Sequence, residues 1–173
     1  KSSAEVAFEP EGRRWLEETI PELIYGVGMF AEEHVEQVLE REGTSAALAE
    51  VGKMRSAMGW AVGFEVLLDE GDLTDGQVAE LLRQAMGKPH PDVYMADILA
   101  EVADHGLEND EVRAAYFDAL GQIQTQVYLA DLVGELLDQD DLDEAGLVRL
   151  LDLARRRLTT DVYLADVLSE VGE

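Results

Sequence analysis

The sequence predicts an all-α fold of five tandem repeats of about 34 residues, stacked as αα-hairpins. The phrase Val-Tyr-x-Ala-Asp occurs three times, at 93–97, 127–131 and 162–166. Aromatic residues stand at intervals of 35, 34, 34 and 35 residues, at Tyr25, Trp60, Tyr94, Tyr128 and Tyr163. Between these positions apolar residues recur at helical spacing, as in Val78, Leu81, Leu82 and Ala85. A constant interval combined with helical periodicity is typical of a helical-repeat protein.

The repeats are expected at about 9–43, 44–72, 73–106, 107–141 and 142–173, within a single domain that spans 1–173. In the first repeat, Pro21 suits the first turn of a helix. That helix contains a diverged copy of the phrase at 23–32 and is expected to continue to a stop at Gly43. In the second repeat, the small residues Gly59 and Gly63 are one helical turn apart and predict close packing of two helices.

The last three repeats carry clear start and stop signals. Thr74 and Gln77 form a capping-box pattern at the start of the third repeat. The segment 87–91, Gly-Lys-Pro-His-Pro, is expected to end one helix and begin the next, because its two prolines cannot lie in a helix interior. Asn109 and Asp143 are predicted N-caps of the fourth and fifth repeats.

Each repeat is long enough for two short helices or for one long helix. Two helices return the chain to its starting direction, so successive copies can stack by one repeated operation. The prolines within the first and third repeats also favour two helices. The alternative is an up-down bundle of about five long helices, kinked at the prolines. In either arrangement, the Val, Tyr and Leu positions of the phrase are expected to pack successive repeats together.

The charge balance limits the classes of partner. The chain has 38 acidic and 13 basic residues and a net charge of −25. Direct binding to nucleic acid or to an anionic membrane is therefore not expected, since both require cationic surfaces. Such acidity is typical of halophilic proteins, whose carboxylates are screened over about 3 Å in molar salt. With 47% hydrophobic residues at periodic positions, the chain is not expected to be a disordered acidic tail.

The remaining composition points to a cytoplasmic protein. Cysteine is absent, so no disulfide, thiol nucleophile or cysteine-ligated metal is expected. No apolar run approaches the roughly 20 residues of a membrane span, and the start of the chain, residues 1–5, has no signal-peptide core. The chain does not begin with Met, which indicates a trimmed or fragment sequence.

The phrase also carries a pair of carboxylates beside its apolar face. On a helix at 100° per residue, Asp131 and Glu135 lie next to each other, just outside the apolar arc. The pair recurs in two other repeats, and stacked repeats would align all six carboxylates. We call this predicted row the acidic stripe: Asp97, Glu101, Asp131, Glu135, Asp166 and Glu170. It can be a duplicated solvated face, or it can bind a partner rich in arginine and lysine.

No other pattern predicts a site. His34, His90 and His105 lack ligand spacing, and a weak calcium-loop resemblance at 141–152 lacks one ligand at Ala145. We therefore expect no catalytic residues, no cofactor and no metal. The Arg155–Arg157 cluster is expected to pair with neighbouring carboxylates rather than to bind phosphate.

The function that best fits these features is a non-enzymatic helical-repeat module or scaffold with a strongly acidic surface that binds another protein. The alternatives are an enzyme or cofactor-binding bundle and an acidic nucleic-acid mimic that binds a DNA-binding protein. The sequence leaves homo-oligomerisation open.

Overall fold

The computed structural model describes residues 8–138 and 142–170, and all regular structure in these ranges is helical. Two π-helical segments, Phe8–Gly12 and Glu22–Val27, lie on either side of α1 (Arg13–Pro21). The other helices are α2 (Ala31–Glu42), α3 (Thr44–Lys53), α4 (Ala57–Glu70), α5 (Asp75–Met86), α6 (Asp92–His105), α7 (Asp110–Leu120), α8 (Gln126–Asp138), α9 (Glu144–Arg157) and α10 (Asp161–Glu170). The all-α prediction is confirmed for this part of the chain.

The chain forms two compact units, Lys1–Gly63 and Phe64–Glu173, here called the N-terminal and C-terminal units. In the N-terminal unit α2 packs against α3, with Val35, Ala47 and Val51 fully buried. Gly59 and Gly63 allow close packing, as predicted. A Cβ on Gly63 would lie 2.8 Å from Val51 Cγ2, and a Cβ on Gly59 would lie 2.8 Å from the Cα of Gly28.

The prediction of a single helix from Pro21 to Gly43 is wrong. The chain turns at 28–30, where Gly28 and Phe30 have φ angles of 86° and 60°. The Gly28 and Met29 amides donate to the carbonyls of Ile24 and Leu23, which ends the preceding helical segment. Gly28 is also in close contact with the Gly59 backbone, so the turn places two main chains against each other.

In the C-terminal unit each of the last three repeat segments contains two helices. The breaks fall at 87–91, 121–125 and 158–160. The predicted caps are confirmed. Asn109 Oδ1 accepts from the Glu111 and Val112 amides, and Asp143 Oδ1 accepts from the Gly146 amide at 2.7 Å. Thr74 and Gln77 form the capping box. These segments therefore do not form one long helix each.

In the C-terminal unit, α5 packs against α7, α6 against α8, and α8 against α10. Polar contacts follow the same pairing. Asp92 Oδ2 accepts from the Gln124 amide at 2.8 Å and from the Thr125 amide and hydroxyl at 2.6 and 2.7 Å. Gln126 Oε1 likewise accepts from the amides of Thr159 and Thr160, at 2.8 and 3.1 Å.

The repeated phrase forms part of this core. In α8 the side chains of Leu129, Leu132, Val133 and Leu136 are buried, as predicted. Two of the three Val positions differ from the prediction: Val127 and Val162 are 37% and 63% exposed, whereas Val93 is half-buried. Val127 and Val162 are exposed because the residue just before the Tyr lies about 100° outside the apolar arc of the helix.

Candidate functional site

The acidic stripe is divided between exposed and half-buried positions. Asp97 and Asp131 are exposed, whereas Glu101 and Glu135 are half-buried. All four lie on α6 and α8, which pack against each other. The side chains of Asp166 and Glu170 lie outside the described part of the structure, so the third pair stays a prediction.

The half-buried pair lies in a strongly negative field. Burial raises the pKa of Glu101, and the carboxylates of Glu65, Asp69, Asp104 and Glu135 raise it further. Burial and the charge of Asp104 raise the pKa of Glu135. We call these five residues the acidic cluster. Because each carboxylate disfavours ionisation of the others, the cluster favours any cation that would lower the local potential.

In the described part of the chain, cationic side chains do not pair with four of the five carboxylates of the cluster. Among the described residues, Glu65, Asp69, Glu101 and Glu135 form no ion pair. The arginines of the C-terminal unit pair elsewhere: Arg83 with Glu111 at 3.0 Å and Arg149 with Asp118 at 2.8 Å. These four carboxylates therefore keep their negative charge, whereas Glu111 and Asp118 are paired.

The sequence predicted only part of this cluster. Glu101 and Glu135 belong to the repeated phrase, whereas Glu65, Asp69 and Asp104 do not. Glu65 and Asp69 are one helical turn apart on α4, a spacing that places two carboxylates on one helix face. The spacing of Glu65 and Asp69 was therefore visible in the sequence, but the two residues do not occupy the Asp and Glu positions of the repeated phrase.

A buried tyrosine lies within electrostatic reach of the cluster. Tyr116 of α7 has no exposed surface, and its hydroxyl forms no hydrogen bond with the described residues. Burial raises the pKa of Tyr116, and the charge of Glu135 raises it further. The ring packs edge to face on Phe117, with centroids 6.2 Å apart. A phenylalanine would pack in the same way, so the hydroxyl has no evident structural partner.

A second polar group, in the N-terminal unit, was not predicted. Tyr25 donates its hydroxyl hydrogen to Glu50 Oε2 at 2.5 Å. His34 Nε2 lies 3.2 Å from the Tyr25 hydroxyl oxygen and 3.2 Å from Glu50 Oε2. Lys53 Nζ donates to Glu50 Oε1, also at 2.5 Å. The four residues come from three helical segments and share no spacing, so no sequence pattern could have revealed them.

This polar group is internally satisfied. Burial alone would raise the pKa of Glu50, but hydrogen bonds from Lys53, Tyr25 and His34 outweigh it and lower the pKa to about 2. Burial and the hydrogen bond to Glu50 raise the pKa of Tyr25 to about 12. A neutral phenol bound to a carboxylate is a poor nucleophile and a poor acid near pH 7. The arrangement joins the segment Glu22–Val27 to α2 and α3.

The remaining sequence candidates have local roles. His90 Nε2 lies 3.1 Å from the Ala85 carbonyl near the end of α5, where it can act as a helix cap. Arg155 and Arg156 pair with Asp152, as predicted. Arg157 donates instead to the carbonyl of Gly121 at 2.7 Å and to that of Ile123. Residues 139–141 lie outside the described ranges, so the first part of the calcium-loop pattern is untested.

Two small cavities open in the C-terminal unit. Their volumes, about 190 and 180 Å³, are below the roughly 300 Å³ at which small-molecule pockets begin. Helix caps and ion-paired arginines contribute to their walls, for example Asn109 in the first and Arg113 and Arg149 in the second. Within the described residues, no group of three histidines and carboxylates is placed to hold a metal ion.

None of the described helices has the length and apolar character needed to cross a membrane. Comparisons with protein-family models, curated proteins and solved structures return no match. A functional proposal therefore depends on the chain's own residues, and the acidic cluster is their most distinctive arrangement.

Proposed function

We propose that this chain is a non-enzymatic helical-repeat module that binds a basic surface of another protein through its acidic cluster. The observation that carries the proposal is that Glu101 and Glu135 lie half-buried on the packed helices α6 and α8 and form no ion pair with the described residues. Their raised pKa, to which neighbouring carboxylates contribute, agrees with this. Holding like charges together costs stability in the free protein. A cationic partner would remove that cost and gain attraction, so the arrangement favours binding.

The proposal includes the repeat architecture. Five copies of about 34 residues would stack one after another, as solenoid repeats do. Its support is that packing and hydrogen bonding recur with the sequence interval: Asp92 and Gln126 stand 34 residues apart and accept from equivalent amides of the next repeat. Stacking of this kind would place Glu101 and Glu135 side by side and produce an extended binding surface.

The setting of the proposed function is the cytoplasm of a halophilic organism. Abundant carboxylates and the absence of cysteine support this setting. In molar salt, long-range attraction is screened, and only groups in direct contact contribute strongly to binding. Glu101 and Glu135 are suited to that condition, because their half-buried positions protect their charges from screening better than full exposure does.

The experiment measures binding of an arginine- and lysine-rich peptide by titration calorimetry at low and at multimolar salt. The variant Glu101→Gln with Glu135→Gln should weaken binding about tenfold or more, as loss of close charge pairs does. The matched control, Glu33→Gln with Glu40→Gln, removes the same net charge from exposed positions on α2. If both double variants bind equally well at multimolar salt, the acidic cluster is not the binding site.

A further inference from the structure

The outer face of α9 carries apolar side chains that remain open to solvent. Val148 and Leu147 are 61% and 37% exposed, and Leu151 beside them is half-buried. The residue 34 positions before Val148 is Ala114 on α7, and the residue 34 positions before that is Glu80 on α5; both are exposed. α9 therefore has an apolar surface where the two earlier helices have a small or a charged residue.

Phe117 shows how an apolar residue at the corresponding position of α7 is covered. Its ring is buried, and the Arg149 guanidinium of α9 lies 4.7 Å from the ring centroid. Arg149 also pairs with Asp118 of α7 at 2.8 Å. Leu151, 34 residues after Phe117, lies on the open face of α9. A helix that supplies both apolar contact and opposite charge would cover that face in the same way.

Charged residues of opposite sign stand at the two ends of this face. Glu144 lies in the first turn of α9, and Arg155 lies in the last turn. At 100° per residue, these two residues share an arc of roughly 60° with Val148 and Leu151. The order along the face is therefore acidic, apolar, apolar and basic.

This order is self-complementary when two copies of α9 run antiparallel. Glu144 and Arg155 are equally far from the midpoint between residues 149 and 150, and so are Val148 and Leu151. A twofold axis at that midpoint places Glu144 opposite Arg155 of the second copy. The same axis places Val148 opposite Leu151 of the second copy, and each contact occurs twice. Antiparallel pairing also brings the positive end of each helix dipole to the negative end of the other.

Both charged residues are available for such contacts. Glu144 is exposed and takes part in no ion pair among the described residues. Arg155 is exposed and shares the single carboxylate of Asp152 with Arg156. α9 has four arginines and two acidic residues in a chain of net charge −25. Two copies therefore repel each other less when they meet along α9 than along an acidic surface.

We propose that a second copy of this chain covers the face, and that the two copies form a twofold dimer through antiparallel α9 helices. One pair of 14-residue helices buries less than the roughly 1,200–2,000 Å² of a stable interface, so the dimer is weak and reversible. The inference is independent of the proposed function, because no residue of the face belongs to the acidic cluster.

Sedimentation equilibrium of the whole chain in molar KCl measures the association, since this salt screens the long-range repulsion between copies. The mass should rise with concentration from one chain to two chains and no further. Val148→Asp should raise the Kd of the dimer about tenfold or more, because it places a carboxylate in an apolar contact. The matched control is Val162→Asp, which makes the same change at a 63% exposed position on α10 and should leave the Kd unchanged.

Charge reversal tests which residues face each other. Glu144→Arg alone places arginine opposite arginine, and Arg155→Glu alone places glutamate opposite glutamate. Each variant should therefore dimerise about fivefold or more less tightly than the parent. An equimolar mixture of the two variants should form heterodimers with the affinity of the parent, since both contacts become attractive again. Circular dichroism should show the helix content of the parent in both variants, because both positions are exposed.

Three results would overturn the inference. A chain that stays monomeric at every concentration would mean that a different molecule covers the face. Masses beyond the dimer would indicate head-to-tail stacking, which has no twofold axis. A dimer that Val148→Asp does not weaken, or a mixture of charge variants that associates no better than either variant alone, would show that the copies meet at other residues.

Discussion

At the scale of single residues, Glu50 of the N-terminal unit is a strongly hydrogen-bonded carboxylate. It is 17% exposed and accepts from Tyr25 and Lys53, with His34 at 3.2 Å. A buried carboxylate would normally prefer to be neutral, yet here three partners favour the ionised form. The network therefore links stability to pH, and its sign follows from the lowered pKa of Glu50.

We predict that the N-terminal unit loses this stabilisation in acid. The pKa of Glu50 is about 2 in the folded protein against a reference value of 4.5. Its contribution is thus complete above pH 4.5 and disappears as the pH falls toward 2. The free energy of unfolding of Glu50→Gln should be lower than that of the parent by on the order of 2 kcal/mol at pH 7, and the difference should vanish near pH 2.

Tryptophan fluorescence can follow this unit alone, because Trp15 and Trp60 are the only tryptophans of the chain. Glu33→Gln removes the same charge from an exposed position on α2, and its curve should run parallel to that of the parent. A Glu50→Gln difference that stays constant between pH 7 and pH 2 would show that the hydrogen bonds do not depend on the charge.

At the scale of elements, the contacts that join neighbouring helices involve backbone amides at helix starts. Asp92, in the first turn of α6, accepts three hydrogen bonds from the residues that precede α8. Burial raises the pKa of Asp92, but hydrogen bonds from Thr125 and Gln124 outweigh it and leave the pKa lowered. The carboxylate thus joins the first turn of α6 to the residues that lead into α8.

Replacing Asp92 with Ala should destabilise the C-terminal unit by about 1 kcal/mol, because water can take over part of the exposed hydrogen bonding. Asp161→Ala is the matched control, since Asp161 occupies the same place in the first turn of α10. Both changes remove an acidic residue from a helix N-terminus, so the difference between them isolates the contact between repeats. Urea unfolding followed by helical circular dichroism provides the measurement. Equal losses would mean that the contact contributes nothing beyond the helix dipole.

The helix pairs of the C-terminal unit could be predicted because their boundaries are encoded locally. A proline, a glycine or a capping side chain marks many of these ends, as at 87–91 and at Asn109. The turn at 28–30 could not be predicted, because Phe30 adopts a left-handed conformation that its side chain does not favour. Contact between Gly28 and Gly59 requires that turn, and this contact joins residues far apart in sequence.

The residues of the candidate site also differ in whether the sequence could reveal them. The pair Glu101 and Glu135 is visible in the sequence because the repeat places one copy 34 residues after the other. The Tyr116 hydroxyl, which has no hydrogen bond among the described residues, is not visible, since a missing hydrogen bond leaves no pattern in the sequence. Periodicity therefore predicts which residues share a face, whereas the satisfaction of buried polar groups becomes known only from coordinates.

At the scale of the whole molecule, the net charge of −25 should make stability depend on salt. Self-repulsion favours the expanded chain, and the acidic cluster adds repulsion that the native fold holds at short range. Added KCl screens the long-range part over distances that shrink to about 3 Å at molar concentration. We therefore expect the urea midpoint of the C-terminal unit to rise continuously from low to multimolar KCl.

Two variants identify where this salt dependence arises. Glu101→Gln with Glu135→Gln should raise the low-salt midpoint more than the charge-matched Glu33→Gln with Glu40→Gln, because only the first relieves the half-buried repulsion. Sucrose, which stabilises compact states without screening charge, is the solvent control. A midpoint that responds to KCl no more than to sucrose would contradict a halophilic origin of the composition. Binding would then be the remaining reason for the abundant carboxylates, and the peptide titrations would measure that binding directly.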